Sequence, residues 1–153
     1  MPSILVASDA PSVRSEILAV VEGRDNEIRQ VASGPDVLLE VAEDAPDLLV
    51  VDLQMGNMGG MAVCLDLRLA ESYGALPHIP VLMLLDRRAD VFLARRSGAE
   101  GWLVKPLDPM RIRKATATLV SGGTYHDESF HPLPELVGSA ATTQTPAPQP
   151  PEQ

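Results

Sequence analysis

Pro46-Asp47-Leu48-Leu49-Val50-Val51-Asp52-Leu53-Gln54-Met55 sets an apolar run, Leu48 to Val51, directly before an aspartate. Both alternating faces of that run are apolar, as in a central strand of a parallel sheet that helices cover on two sides. The same arrangement occurs twice more. Ile4-Leu5-Val6-Ala7-Ser8 ends at Asp9, and Trp102-Leu103-Val104 ends at Lys105. If the three runs lie parallel in one sheet, two carboxylates and an ammonium converge on one edge.

Outward from this stretch, apolar runs with β-branched residues alternate with segments of helical period to about residue 120, which argues for βαβ units around a parallel sheet. Strands are expected near 4–8, 28–32, 48–52, 80–85 and 101–104, and helices over 11–22, 35–44, 61–73, 87–97 and 108–120. Three of the helices carry start signals: Asp9-Ala10-Pro11-Ser12, Ser33-Gly34-Pro35 and Asp108-Pro109 each put a capping residue at or just before a first-turn proline. The expected fold is α/β: a flavodoxin-like, doubly wound, five-stranded parallel sheet with five helices, its order 2-1-3-4-5 taken over from known sheets of this kind rather than read from these residues.

The expected domain covers residues 1–121. Beyond it, Ser121-Gly122-Gly123 breaks the last helix, no Lys or Arg follows Lys114, and prolines gather at Pro146, Pro148, Pro150 and Pro151. Residues 122–153 therefore read as an acidic, proline-rich tail, largely disordered from about Gly138, where Ser, Ala, Thr, Gln and Pro cannot bury enough apolar surface to offset ordering. Thr124 to Val137 keeps Tyr125, Phe130, Leu133, Leu136 and Val137, enough to dock on the domain or on a partner. His126 and His131 are a weak metal hint.

A chain of 153 residues suits one domain, and its net charge of −9 argues against nucleic acid as a partner. Its basic groups, the pairs Arg87-Arg88 and Arg95-Arg96 with Arg111, Arg113 and Lys114, are too few for a phosphate-tracking surface. No apolar run nears the roughly 18 residues of a membrane span, and the first residues lack the pattern of a secretory signal. A cytoplasmic location is expected. Cys64, the sole cysteine, excludes an internal disulfide and reads as a buried structural thiol.

Ligands of open α/β sheets bind beyond the carboxyl ends of the strands, where strand order reverses, and in the order 2-1-3-4-5 that point lies between strands one and three. This puts Asp9 beside Asp52. Two carboxylates in one crevice repel unless a cation or a proton intervenes, and oxygen ligands suit Mg²⁺. A nearby lysine neutralises an incoming phosphate as a point charge. The constellation suits phosphoryl chemistry.

Four stretches, in order and properly spaced over about residues 3–120, resemble the receiver domain of bacterial two-component response regulators: Ile4 to Asp9, Pro46 to Met55, Ile79-Pro80-Val81-Leu82-Met83-Leu84, and Gly98-Ala99-Glu100-Gly101-Trp102-Leu103-Val104-Lys105-Pro106. The resemblance implies a signalling receiver in a phosphorelay, not an enzyme beyond its own phosphoryl transfer and dephosphorylation. Asp52 would accept a phosphoryl group from a histidine kinase or phosphotransfer protein, with Mg²⁺ as cofactor. Asp9, Asp52 and the backbone carbonyl of Gln54 would be metal ligands, Ser8 a contributor through water, and Lys105 the phosphate partner. The resemblance also implies a cis peptide before Pro106 and a partner or homodimer surface on helix four, strand five and helix five. As no output domain fits in the tail, a stand-alone regulator acting through protein contacts is expected.

The departures are specific. Ser8 stands where a second acidic residue is usual, which should weaken Mg²⁺ binding. Leu85 replaces the switch hydroxyl at the end of strand four, and Trp102 occupies the switch aromatic position, too large to rotate far inward. Asp86 replaces a small residue and is expected to cap the fourth helix. Met55-Gly56-Asn57-Met58-Gly59-Gly60 lacks the usual proline and aspartate and is expected to be flexible. Together these departures support an alternative, a receiver-like interaction module that works without phosphate. A nucleotide or cofactor enzyme on the same scaffold is disfavoured, because Ser8-Asp9-Ala10-Pro11-Ser12 holds neither a dinucleotide fingerprint nor a phosphate loop, and no nucleophilic serine elbow is present.

Overall fold

In the computed structural model, which describes residues 1–23 and 25–128, strands and helices alternate along the chain. They are β1 Ser3–Ala7, α1 Pro11–Val21, β2 Glu27–Val31, α2 Gly34–Glu43, β3 Leu48–Asp52, α3 Gly60–Ser72, β4 Val81–Leu85, α4 Val91–Ser97, β5 Gly101–Val104, α5 Pro109–Val120 and β6 Tyr125–His126. The strands form one sheet in the order β2-β1-β3-β4-β5-β6, with every pairing parallel. The expected order 2-1-3-4-5 is thus present, and a sixth strand, not anticipated, extends it. β6 lies within the stretch read as tail; residues 129–153, with the expected docking side chains Phe130, Leu133, Leu136 and Val137, lie outside the described residues.

Alternation along the strands sends side chains to two cores. Leu5, Leu49, Val51, Met83 and Val104 meet Val37 and Val41 of α2, Val63, Cys64 and Leu67 of α3, and Ala94 of α4. On the other face, Ile4, Val6, Val50, Leu82, Leu84 and Leu103 meet Val13 and Ile17 of α1 and Ile112, Ala115 and Leu119 of α5. Every residue of β3 and β4 is buried, so the apolar-on-both-faces reading of these strands holds. Fully burying a side chain such as Leu84 or Ile17 stabilises the fold by about 2 kcal/mol.

Two helix starts match their sequence signals: Ser33 accepts a hydrogen bond from the Asp36 amide at 3.2 Å, and Asp108 accepts from the Arg111 amide at 2.9 Å. Two do not. The N-cap of α1 is Ala10, with no side-chain cap bond, because Asp9 turns towards the loop after β3. The helix expected over 87–97 begins with a 3-10 turn, Arg88–Asp90, followed by α4 proper. There Arg87 pairs at 2.8 Å with Asp90, whose carboxylate is buried within that turn.

Candidate functional site

The carboxyl ends of β1, β3 and β5 meet as the parallel register requires, and they bring Ser8, Asp52 and Lys105 into direct contact. Asp52 is only 1% exposed. The Ser8 hydroxyl donates to Asp52 Oδ2 at 2.8 Å, and Lys105 Nζ lies 3.0 and 3.1 Å from the two carboxylate oxygens. Ser8 Oγ also accepts from the Ala10 amide at 3.1 Å. The second carboxylate of the pair stands at the same sheet edge and reaches the loop after β3: Asp9 Oδ2 accepts from the Gly56 amide at 2.9 Å.

Lys105 is placed by two backbone features. Its amide donates to Leu85 O at 2.8 Å, and the Lys105–Pro106 peptide is cis. Its ammonium also reaches Asp86 Oδ1 at 2.7 Å. Burial works to lower the lysine pKa, but the hydrogen bonds that the ammonium donates to Asp86 and Asp52, with the charges of those carboxylates, together outweigh it and leave the group above its ordinary value. The ammonium is therefore a permanent cation at neutral pH, shared between two carboxylates.

Asp86 is thus not a helix cap. Arg87 is the residue that precedes the 3-10 turn, and Asp86 turns instead to Lys105, because an ammonium in reach outcompetes exposed amides. Asp9 is not a cap either, for the reason given above. Leu85 is fully buried and offers no donor, and the Gln54 side chain is exposed. Around the loop after β3 the glycines serve close approach: a Cβ at Gly60 would stand 2.6 Å from Asp52 O, and one at Gly59 would stand 2.6 Å from Leu53 O. At Gly59 and Gly60 the lack of a side chain is thus a requirement for tight backbone contact.

Trp102 is 2% exposed, with its ring stacked on His126 at a centroid distance of 4.2 Å and an interplanar angle of 4°. Arg95 is exposed and holds its guanidinium carbon 5.1 Å from the Trp102 ring centroid. His126 is therefore an aromatic neighbour; His131 lies outside the described residues, and among those described no three His, Cys, Asp or Glu side chains converge as a metal cage. Sequence reasoning missed Asp127, a buried carboxylate that accepts from the Val104 amide at 2.9 Å and pairs with Arg111. Its only signal in the sequence is an acidic residue soon after a glycine-broken helix.

A family model, response regulator receiver domain, matches residues 4–117. The chain belongs to the response regulator receiver family. Among its relatives, the DNA-binding response regulator MtrA of Mycolicibacterium smegmatis is 33% identical over 111 residues, which cover 71% of this chain and 46% of that protein. The response regulator PleD of Caulobacter vibrioides is 32% identical over 119 residues, 74% of this chain and 26% of PleD. The chain spans less than half the length of these curated relatives. Among solved structures, the chemotaxis response regulator CheY4 of Vibrio cholerae superposes with a TM-score of 0.69 at 26% identity, covering 78% of this chain and 98% of the other. This receiver is thus a two-component signalling domain of flavodoxin-like fold, and among its described residues no helix is long and apolar enough to cross a membrane.

Proposed function

We propose that this receiver works as a cytoplasmic regulator in a phosphorelay, taking a phosphoryl group on Asp52 from a histidine kinase or phosphotransfer protein and answering through protein contacts. One observation carries the reading: Lys105 Nζ sits 3.0 Å from Asp52 Oδ1 at a sheet edge that also bears Asp9. The chemistry of the donors fits Mg²⁺, since Asp9, Asp52 and the Gln54 carbonyl offer hard oxygens, with Ser8 a further contact through water. A bound ion lowers the repulsion between the carboxylate and an anionic phosphoryl donor. Asp52 supplies the nucleophilic oxygen: Oδ1 accepts only from Lys105 among the hydrogen bonds described and keeps a lone pair for attack on phosphorus. Lys105 balances the charge of the transferred group, and Asp86 competes with that group for the ammonium. The net charge of −9 supports protein targets over nucleic acid.

A second reading, an interaction module independent of phosphate, is favoured by the burial of Asp52 and by the two donors already on its carboxylate. Intact-mass measurement separates the readings. Wild type incubated with Mg²⁺ and a small phosphodonor gains the mass of one phosphoryl group under the first reading, and Asp52→Ala does not. No adduct with any small donor or with a phosphohistidine protein would leave the second reading standing.

A further inference from the structure

The edge of β5 is occupied by the chain itself, in the manner of a bound peptide. Gly101 pairs with Tyr125 and Trp102 with His126, and the Tyr125 amide donates to Glu100 O at 3.2 Å. The contact is not backbone alone. The His126 ring lies flat on Trp102, and the buried Asp127 carboxylate receives the Val104 amide and Arg111. Gly101 is fitted to this neighbour, since a Cβ there would stand 2.8 Å from Tyr125 O. Beside the segment a cleft of about 330 Å³ is lined by Arg88, Val91, Arg95, Trp102, Asp127 and Glu128.

These features have the elements of strand-addition recognition: an open sheet edge gives backbone pairing, and defined positions for alternate side chains give selectivity. Without Tyr125–His126, β5 would be an unpaired edge strand, a surface that proteins normally keep covered. We propose that the β5 edge is a docking site for an extended acidic segment. It selects a planar ring opposite Trp102 followed by a carboxylate for the Val104 amide and Arg111, and Tyr125-His126-Asp127 fills it in cis. A partner strand carrying the same ring-then-carboxylate pattern binds by displacing this segment. Pairing of two copies through helix four, strand five and helix five must likewise displace or accommodate it. The inference is independent of phosphorylation at Asp52.

The test uses the full chain, with amide hydrogen exchange followed by NMR and Trp102 emission as readouts. Asp127→Ala is expected to speed exchange at Val104 by at least about ten-fold, the effect of losing a hydrogen bond to a charged acceptor. A blocked peptide, Gly-Thr-Tyr-His-Asp-Glu, supplied at about 5 mM to match the effective concentration of a short tether, is expected to restore protection in that variant. The same peptide carrying the Asp127→Ala change is expected not to. Unchanged Val104 exchange in Asp127→Ala overturns the proposal, as does failure of the native peptide to restore protection, or equal rescue by both peptides. Should Asp127→Ala lose cooperative unfolding, His126→Ala keeps the buried ion pair, and recovery of Trp102 emission on adding the native peptide becomes the deciding measurement.

Discussion

Asp52 and Asp127 are both buried carboxylates beside the carboxyl ends of strands, at 1% and 5% exposure, and each is paired with a basic side chain. The cations differ in kind. Lys105 meets Asp52 and Asp86 with a compact ammonium on a flexible stem, whereas Arg111 spreads a planar fork over Asp127, Asp108 Oδ2 at 2.6 Å, Val104 O at 3.2 Å and Pro106 O. A point charge can be re-aimed when a new anion arrives; a fork tied to four acceptors cannot move without breaking several bonds at once. Within one sheet edge, then, one ion pair is suited to exchange of partners and the other to holding a segment in place.

That contrast is sharpest in Arg111→Ala, which leaves the Asp127 carboxylate buried without its cation. It is expected to cost about 3–5 kcal/mol of unfolding free energy in a urea titration, and a cost under about 1 kcal/mol would erase the distinction. Lys105→Ala is expected to cost less, about 2 kcal/mol, because the pair is partly open and Ser8 still donates to Asp52. Ser8→Ala follows at about 1.5 kcal/mol, the value of one hydrogen bond to a charged acceptor, read from the same titration. Asp108→Ala, which removes the α5 cap, is expected to cost about 1 kcal/mol.

Titration sharpens the same contrast at opposite ends of the pH scale. The folded pKa of Lys105 is raised, so the pair's contribution is complete below the ordinary lysine value of 10.5 and is lost as pH rises through the higher folded value. The stability gap between wild type and Lys105→Ala should therefore persist through neutral pH and close as the pH rises into strong alkali. Asp108 is lowered, first by the Arg111 backbone amide and then by the Arg111 side chain. Its contribution is present above the ordinary value of 3.8 and is lost as pH falls through the folded one, so the gap to Asp108→Ala should close in acid. Urea titrations of each pair at several pH values check both signs.

The elements with a continuous apolar pattern were legible from sequence. β3 and β5 fall on their expected residues, and β1, β2 and β4 lie within one residue of theirs; in β3, β4 and β5 burial on both faces leaves an apolar run that few other structures produce, whereas every residue of β2 is exposed or half-buried. β6 was not legible. Tyr125 and His126 carry no apolar alternation, and their pairing is set by Gly101 and Trp102, over twenty residues earlier. In the site, the placement of Asp52 beside Lys105 followed from strand ends alone. That neither Asp9 nor Asp86 caps a helix did not, because a capping aspartate and an aspartate that reaches a distant donor look alike until the fold decides which donor is nearer. Arg111 was noted only as one of the basic groups, and its tethering role was not legible for the same reason: its acceptors are scattered from Val104 to Asp127.

Cys64 is fully buried between α3 and the sheet, donates to Ser97 O at 3.2 Å, and has its thiol pKa pushed up by burial. The folded chain thus offers no reactive thiolate to a maleimide or a disulfide reagent. A cysteine engineered at an exposed position, such as Leu39 on α2, would be the single labelling handle for a spectroscopic probe. The native thiol, silent until the core opens, would serve as an internal clock for global unfolding.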